Sequence, residues 1–535
     1  MLLSTDNSAQ AHFSRVPSIS GSRNAFTVAD PGKGTMKFDY LYPLYWKQIL
    51  PGDTLSATFS VAMRLGTQVA TLYDELYYDI HAWYAPNRIL QDNWARLQFN
   101  DKPAGPSQDN SSLTAPTIDL SGLTSGFGSK SLYDYLQYGD PTLDLTAAAA
   151  DLNNYLPRMY NLTWNQDYRD QNLQDPVVVD KDDGPDDPAD YVLLKRGKRH
   201  DKFTSMLTDL QKGTPVSLQL SGEVDVQYSN TNVGAVWRDR SDGSLHGTNQ
   251  NIESAASGTV QGANNTNVHY DPNGTLIIDS SNIQAFTVNS LRTTVAVQHL
   301  LEADARGGTR DVEAIKNRFN TQVPDFRLSR PEYLGGATYS FDGHLVPQTS
   351  ETGTTPQGNL AQFSDSAGAL QINHSFVEHG WLMILCSARS NQTYQQGVPR
   401  ELRYNTRYDW FQPEMSNIGE VGVLNSEWYF QGDDGTEDDA IAGYQEYGYE
   451  LRYGNTFISA EMRSSFATSK DYTHMAYEFS SLPVLGSSFI QSDTPIDRNL
   501  VVASATADPI EYSTIMKGTC ARMLPMYSVP GLEKL

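Results

Sequence analysis

Positive charge is scarce in this chain: 39 Lys plus Arg stand against 63 Asp plus Glu in 535 residues, a formal charge of −24. That balance excludes general binding to nucleic acid, because neutralising phosphate needs an excess of cations. Cysteine is nearly absent, and Cys386 and Cys520 lie far apart without metal-ligand spacing, so they read as two buried thiols and indicate no oxidising compartment. Long apolar runs are missing too. The longest, "WLMILC" at 381–386, fits a buried strand and falls well short of the ~20 residues that span a bilayer. "MLLSTDNSAQ" lacks the basic leader and apolar core of a signal peptide, so a soluble protein without membrane insertion is expected. Catalytic signatures are lacking as well: there is no GxSxG, no HExxH and no Walker loop, "GKGTMK" at 32–37 having the wrong spacing. His374 and His379 stand five apart in a strand-like run, on opposite faces, which argues against shared ligation of a metal. No catalytic residue, metal site or cofactor is expected. The acidic stretches 180–190 and 433–439 read as solvated loops, Gly184 standing where a calcium loop would place a ligand.

What is present is aromatic and strand-like. With 39% apolar residues, 30 Tyr and 8 Trp, the composition suits a folded, β-rich protein. Leu55, Ala57, Phe59, Val61 and Met63 alternate with small or polar residues, and Leu76, Tyr78, Ile80, Ala82 and Tyr84 repeat the pattern, predicting strands over 54–64 and 75–84. A short helix is expected in "NRILQDNWARLQ", and strand-like runs recur at 375–388, 400–411, 444–461 and 509–527. "NSLRTTVAVQHLLEADARGG" predicts a helix capped by Asn289 or Ser290, with Leu291, Val295 and Leu301 near one face. Thr309 is expected to cap a second helix ending before Pro324. No alternation of strand with crossover helix suggests a parallel sheet. Residues 1–38 carry Gly, Ser and Pro throughout, and Arg15, Arg23, Lys33 and Lys37 make them slightly positive, which reads as an extended N-terminal arm. Residues 221–285 hold nine Asn, seven Gly and no Lys, and read as a long polar insertion with some strands of its own.

Against this acidic background, "LLKRGKRHDKF" (193–203) gathers Lys195, Arg196, Lys198, Arg199 and Lys202. Nucleic-acid contact, a subunit-interface patch and a solvated loop are the three readings. The run follows the six Asp of 180–190 closely, so it is locally compensated, which argues against an autonomous DNA binder.

Several stretches resemble the major capsid protein of the Microviridae, specifically the gokushovirus-like group: "HFSRVPSISGSRNAF" (12–26), "ILPGDT" (49–54), "WYAPNRILQDNW" (83–94), "YNLTWNQDYRDQNLQDPVVVD" (160–180), "LLEADARGGTR" (300–310), "RPEYLGG" (330–336), "VEHGWLMILCSARSNQTYQQG" (377–397) and "MLPMYSVPGL" (523–532). They span nearly the whole chain in family order. The chain departs from the family at "KFTSMLTDLQKG" (202–213), which lacks a Trp-Pro before the final Gln-Lys-Gly, and at 221–285. The resemblance implies a mainly β fold, an eight-stranded antiparallel jelly roll with long loop insertions and a few helices. It occupies 39–535 behind the arm, and its copies form a 60-copy T=1 icosahedral shell. It also implies a virion assembled in the bacterial host cytoplasm, circular single-stranded DNA inside, and a small basic DNA-binding virion protein as partner. Residues 221–285 would then be a protrusion at the threefold axes, with Trp237, Arg238, Arg240 and Tyr270 as candidates for contact with a host surface receptor. A carbohydrate-binding β protein and a receptor-binding or tail-type phage protein are the alternative readings. Within the capsid reading, the basic run is expected to be an assembly contact, its cations meeting carboxylates of the same or a neighbouring subunit, in preference to genome contact.

Overall fold

The computed structural model describes residues 23–99, 113–146, 152–214, 216 and 288–527, except 307–309, 325–328, 352, 354–356, 359 and 433–436, together with six three-residue strands between 226 and 278. Strands β1 (Asn24–Met36), β2 (Tyr42–Ile49), β3 (Thr54–Gln68) and β4 (Leu76–Pro86) open the chain. The six short strands are β5 (Val226–Tyr228), β6 (Trp237–Asp239), β7 (Ile252–Ser254), β8 (Val260–Gly262), β9 (Val268–Tyr270) and β10 (Leu276–Ile278). Then come β11 (Glu332–Ser340), β12 (Asp342–Pro347), β13 (Leu360–Ser375), β14 (Gly380–Ser390), β15 (Glu420–Leu424), β16 (Ile441–Glu446) and β17 (Ile510–Arg522).

Two antiparallel sheets carry the fold. One has the order β1-β17-β3-β13-β12 and the other β11-β4-β14-β2, so β1 to β4 pass alternately from sheet to sheet in a jelly-roll-like manner. The period of two explains the packing. On β3, Leu55, Phe59, Val61, Met63 and Leu65 are buried between the sheets while Ser56, Ala62 and Arg64 face outward. The turn from β2 into β3 needs a residue at positive φ, which Gly52 supplies at +85°. The Asp53 carboxylate closes that turn by accepting from the Leu50 amide at 2.9 Å. Among the described residues nine strands make up the two sheets, so the expected count of eight is not confirmed. The ninth is β12, where the chain, after Phe341 alone, leaves the four-stranded sheet and joins the edge of the five-stranded one.

The four-stranded sheet is covered on both faces. Tyr78, Ile80 and Ile384 point to the core between the sheets, whereas Trp83, Ala85, Met383 and Leu385 pack under a second core built by the excursion that follows β4. That excursion contains α1 (Trp94–Phe99) and α2 (Tyr155–Thr163), the latter buried along its whole length. The helix expected in "NRILQDNWARLQ" is split, a 3-10 turn at Asn87–Ile89 preceding α1. A third core, around Phe203, Trp428, Tyr449, Tyr477 and Phe489, lies within the long irregular segment between β14 and β17 and its partner 203–206.

Several expectations are corrected. Residues 24–36, assigned to the arm, form β1, because pairing with β17 along its full length satisfies a Gly- and Pro-containing segment at a sheet edge. The 400–411 run forms no strand, and 444–461 is strand only to Glu446. Their tyrosines and arginines are used in side-chain bonds, such as Tyr404 to Glu450 at 3.0 Å, and not in a ladder. The 180–190 loop is not wholly solvated, since Asp186 is buried against Arg158. His379 lies in the turn after β13, not on a strand with His374.

The chain divides into two compact units, Gln211–Arg306 and the remainder. The smaller is longer than 221–285 at both ends and includes α3 (Val288–Arg306), whose Leu291 and Val295 are exposed. Asn289 and Ser290 fall inside that helix and do not precede it. A further helix, α4 (Asp311–Phe319), belongs to the larger unit and ends at Asn320 in the left-handed conformation. Thr309 lies outside the described residues.

Candidate functional site

The basic run is the middle strip of a backbone seam. On one side the Leu41 amide donates to Leu194 O at 2.9 Å and the Arg196 amide to Asp39 O at 2.8 Å. On the other, the Ser492 amide donates to Arg196 O at 2.9 Å and the Lys198 amide to Ile490 O at 2.7 Å. The seam thus ties the β1–β2 connection to the irregular segment that precedes β17. Asp39 is buried in it, accepting from Ser492 Oγ at 2.6 Å and from the Thr494 amide at 2.6 Å; burial raises its carboxyl, only partly offset by these bonds.

Every cation of the run has a partner in its own chain. Lys195 pairs with Asp493 at 2.8 Å, and Lys202, nearly buried, with Glu427 at 2.6 Å. Arg196 reaches Asp79 at 2.5 Å and Ser387 Oγ at 2.9 Å, and Arg199 reaches the same Asp79 at 3.5 Å. Arg389 completes this cluster, donating to Asp79 at 2.8 Å. Burial alone would raise the Asp79 carboxyl, but the Arg389 bond and the Arg196 charge outweigh it and hold the group well below the usual carboxylate range. Beside it, burial and the Arg196 charge lower His81 to about 4, so it is neutral at pH 7.

Lys198 differs. Its ammonium lies 4.3 Å from the Tyr477 ring centroid and 4.1 Å from that of Phe489. Burial lowers its pKa to about 8. A folded-state pKa below the ordinary lysine value means that the protonated form opposes folding below pH 8, and that this penalty fades as pH rises toward 10.5. Lys198→Met should therefore stabilise the chain at pH 7 by about 1–2 kcal/mol, the lost cation–π contact offsetting part of the gain. Urea unfolding of both proteins should show that gap shrinking by pH 9.5; a gap independent of pH would disprove the assignment.

What the seam positions is the segment between β14 and β17. Its surface is unusually apolar: Leu402, Tyr408, Trp410, Leu451, Phe457 and Val484 are all exposed, Phe457 by 83%. Underneath, Glu427 is fully buried, accepting from Tyr449 Oη at 2.6 Å beside Arg400, which donates to Gly422 O at 2.8 Å. Side chains aimed outward from so firmly held a backbone suit contact with another protein surface.

The other expected residues are dispersed. Arg15 and Arg240 lie outside the described residues. Lys33 lies on β1, Lys37 just beyond it, and Arg23 just before it, donating to Thr54 Oγ1 at 2.5 Å. Trp237 and Arg238 are half-buried on β6, whose backbone pairs with β9 so that Trp237 stands opposite Tyr270. Residues that sequence reading missed are Asp79, Asp186 and Glu427. Asp79 did leave a signal, an acid inside the otherwise apolar "YYDIHAWY", where a buried carboxylate must find cations. Among the described residues no cluster of His, Cys, Asp and Glu could hold a metal, and no helix is long and apolar enough to cross a membrane.

Comparison with known proteins agrees along the whole chain. Residues 14–532 match the family described as capsid protein (F protein). The chain is 39% identical over 532 residues to capsid protein VP1 of Bdellovibrio phage phiMH2K, covering 98% of each chain. To capsid protein VP1 of Chlamydia phage 1 it is 32% identical over 594 residues, again covering 98% of each, and to that of Spiroplasma virus 4 it is 30% identical over 527, covering 92% of each.

Proposed function

Because the chain belongs to the capsid protein (F protein) family, we propose that it assembles through the exposed apolar surface between β14 and β17 into a T=1 icosahedral shell of 60 copies. Its role as a structural major capsid protein of a small single-stranded DNA phage, residing in the virion, follows from that family. The observation carrying the rest is the held but uncovered segment: large apolar side chains such as Phe457 and Val484 in contact with water are costly unless a second copy covers them, at ~25 cal/mol per Å². The proposed role is structural and involves no reaction. The compact unit Gln211–Arg306 is proposed as a host-attachment protrusion at the threefold axes, supported by its being a unit of its own and by the Asn- and Gly-rich, Lys-free composition of its 221–285 segment. A small basic virion protein or other cations are proposed to accompany the genome, since shell and DNA are both negative.

Negative-stain microscopy of the expressed chain should show closed shells of one size. Phe457→Asp combined with Val484→Asp should abolish them while changing unfolding stability by less than ~0.5 kcal/mol, as exposed substitutions do. Shells that form at wild-type yield would rule out this surface.

A further inference from the structure

We propose that the outer face of the five-stranded sheet is the surface on which single-stranded DNA lies. The proposal rests on the capsid reading and adds where the polyanion docks. The two sheets are treated differently by the chain. The four-stranded sheet is buried on both faces, but among the described residues of the larger unit nothing covers the outer face of the other.

The registers define that face in rows. Pro31, Ile515, Ser60 and Ala369 form one row across β1, β17, β3 and β13; Ala29, Lys517, Thr58 and Gln371 form the next, and Thr27, Thr519, Ser56 and Asn373 the one after. A row of Lys33, Ser513, Ala62 and Ala367 precedes them, and Ala25, Ala521, Thr54 and Ser375 follow. None of these rows contains Asp or Glu, on a chain in which acids far outnumber bases. Acids return only at the margin, in the row Thr35, Glu511, Arg64 and Asp365. Lys33 and Lys517 have no ion-pair partner among the described residues, and Arg23 stands at the corner against Thr54.

A solvent-facing antiparallel sheet normally carries long charged side chains of both signs. Here small apolar residues, chiefly alanines, alternate with hydroxyls, two amides and two lysines on a low surface, which a mostly apolar open depression of about 690 Å³ bordered by Pro31, Ser60, Ala62, Ala369 and Ile515 indents. Hydroxyl, amide and ammonium groups are donors to phosphate oxygens, and an acid-free patch lets a phosphate chain approach without repulsion. Contacts of this kind are independent of base sequence. The basic run of 195–202 offers no such surface, because its charges are already neutralised or stacked within the chain.

The test uses the full-length chain and a fluorescein-labelled single-stranded DNA 30-mer of mixed sequence, read by anisotropy at two salt concentrations, with shell formation scored in parallel. Wild type should bind, and Lys517→Glu with Thr58→Glu should weaken binding at least tenfold and make the salt slope shallower by about one. Gln357→Glu, exposed and away from the face, should bind as wild type. Equal binding by the double variant, or no binding by wild type, overturns the proposal. So does loss of shells with DNA binding intact, which would assign the face to a neighbouring copy. Failure of wild type to form shells would instead strike the capsid reading and leave the binding comparison standing by itself.

Discussion

Asp186→Ala should lower the unfolding free energy by about 3–5 kcal/mol, the cost of depriving a buried guanidinium of its buried carboxylate partner. Arg158 is completely buried on α2, and Asp186 is exposed by only 1%. The two are joined by paired bonds, Nε to Oδ2 at 2.7 Å and Nη2 to Oδ1 at 2.5 Å. The rest of the guanidinium is satisfied by Leu90 O at 3.0 Å and Asp182 O at 2.8 Å, while Asn154 Nδ2 donates to Asp186 Oδ2 at 2.6 Å. Burial by itself would lower the Arg158 pKa, but the Asp186 bond and charge outweigh it and raise the pKa, so Arg158 stays charged in every folded molecule. Removing Asp186 alone leaves that charge only the largely exposed Asp182 carboxylate, 3.3 Å from Nη2. Arg158→Leu with Asp186→Leu removes both members and should cost much less than the single change. Urea unfolding followed by circular dichroism measures both, and a double variant as unstable as Asp186→Ala would show that packing of the loop, not charge, is what matters.

Asp79→Asn should cost about 2–4 kcal/mol at pH 7. The figure is below that for a sealed pair because Arg196 and Arg199 reach solvent, at 21% and 52% exposure, although Arg389 does not, at 5%. Asparagine keeps the shape and loses the charge, as does protonated Asp79. The folded carboxyl titrates below its unfolded value, so its contribution is complete above the ordinary Asp pKa of about 3.9 and is lost as pH falls toward the folded value. The gap between wild type and Asp79→Asn should thus be constant from pH 7 to about pH 5 and narrow progressively below pH 4. A gap that does not narrow as pH falls below 4 would mean that lost hydrogen bonds, such as the one Thr338 Oγ1 donates, carry the effect.

The strands most plainly written in the chain are those with one face buried. Alternation over 54–64 and 75–84 anticipated β3 and β4 within a few residues, because a pleated backbone turns each successive side chain to the opposite face. "WLMILC" anticipated the centre of β14, which is apolar throughout because both faces of its sheet are covered. Where alternation was weak the reading failed. β1 resembles an arm in sequence because its outward residues are small and its inward ones include Gly32 and Gly34. The 400–411 run, strand-like in sequence, is rich in tyrosine and arginine, residues that there pack and pair from turns.

By itself, then, the amino-acid pattern determined the β class, the main strands and the capsid family, because alternation and motif order are properties of neighbouring residues. Only the tertiary structure decided where charge goes. Arg196 finds Asp79 across 117 residues and Lys195 finds Asp493 across 298. Local counting had balanced the run against the acidic loop just before it, yet that loop turns Asp186 inward to Arg158. Ion pairing is set by distance in space and by burial, which raises the cost of an unmatched charge, and neither quantity is local in sequence.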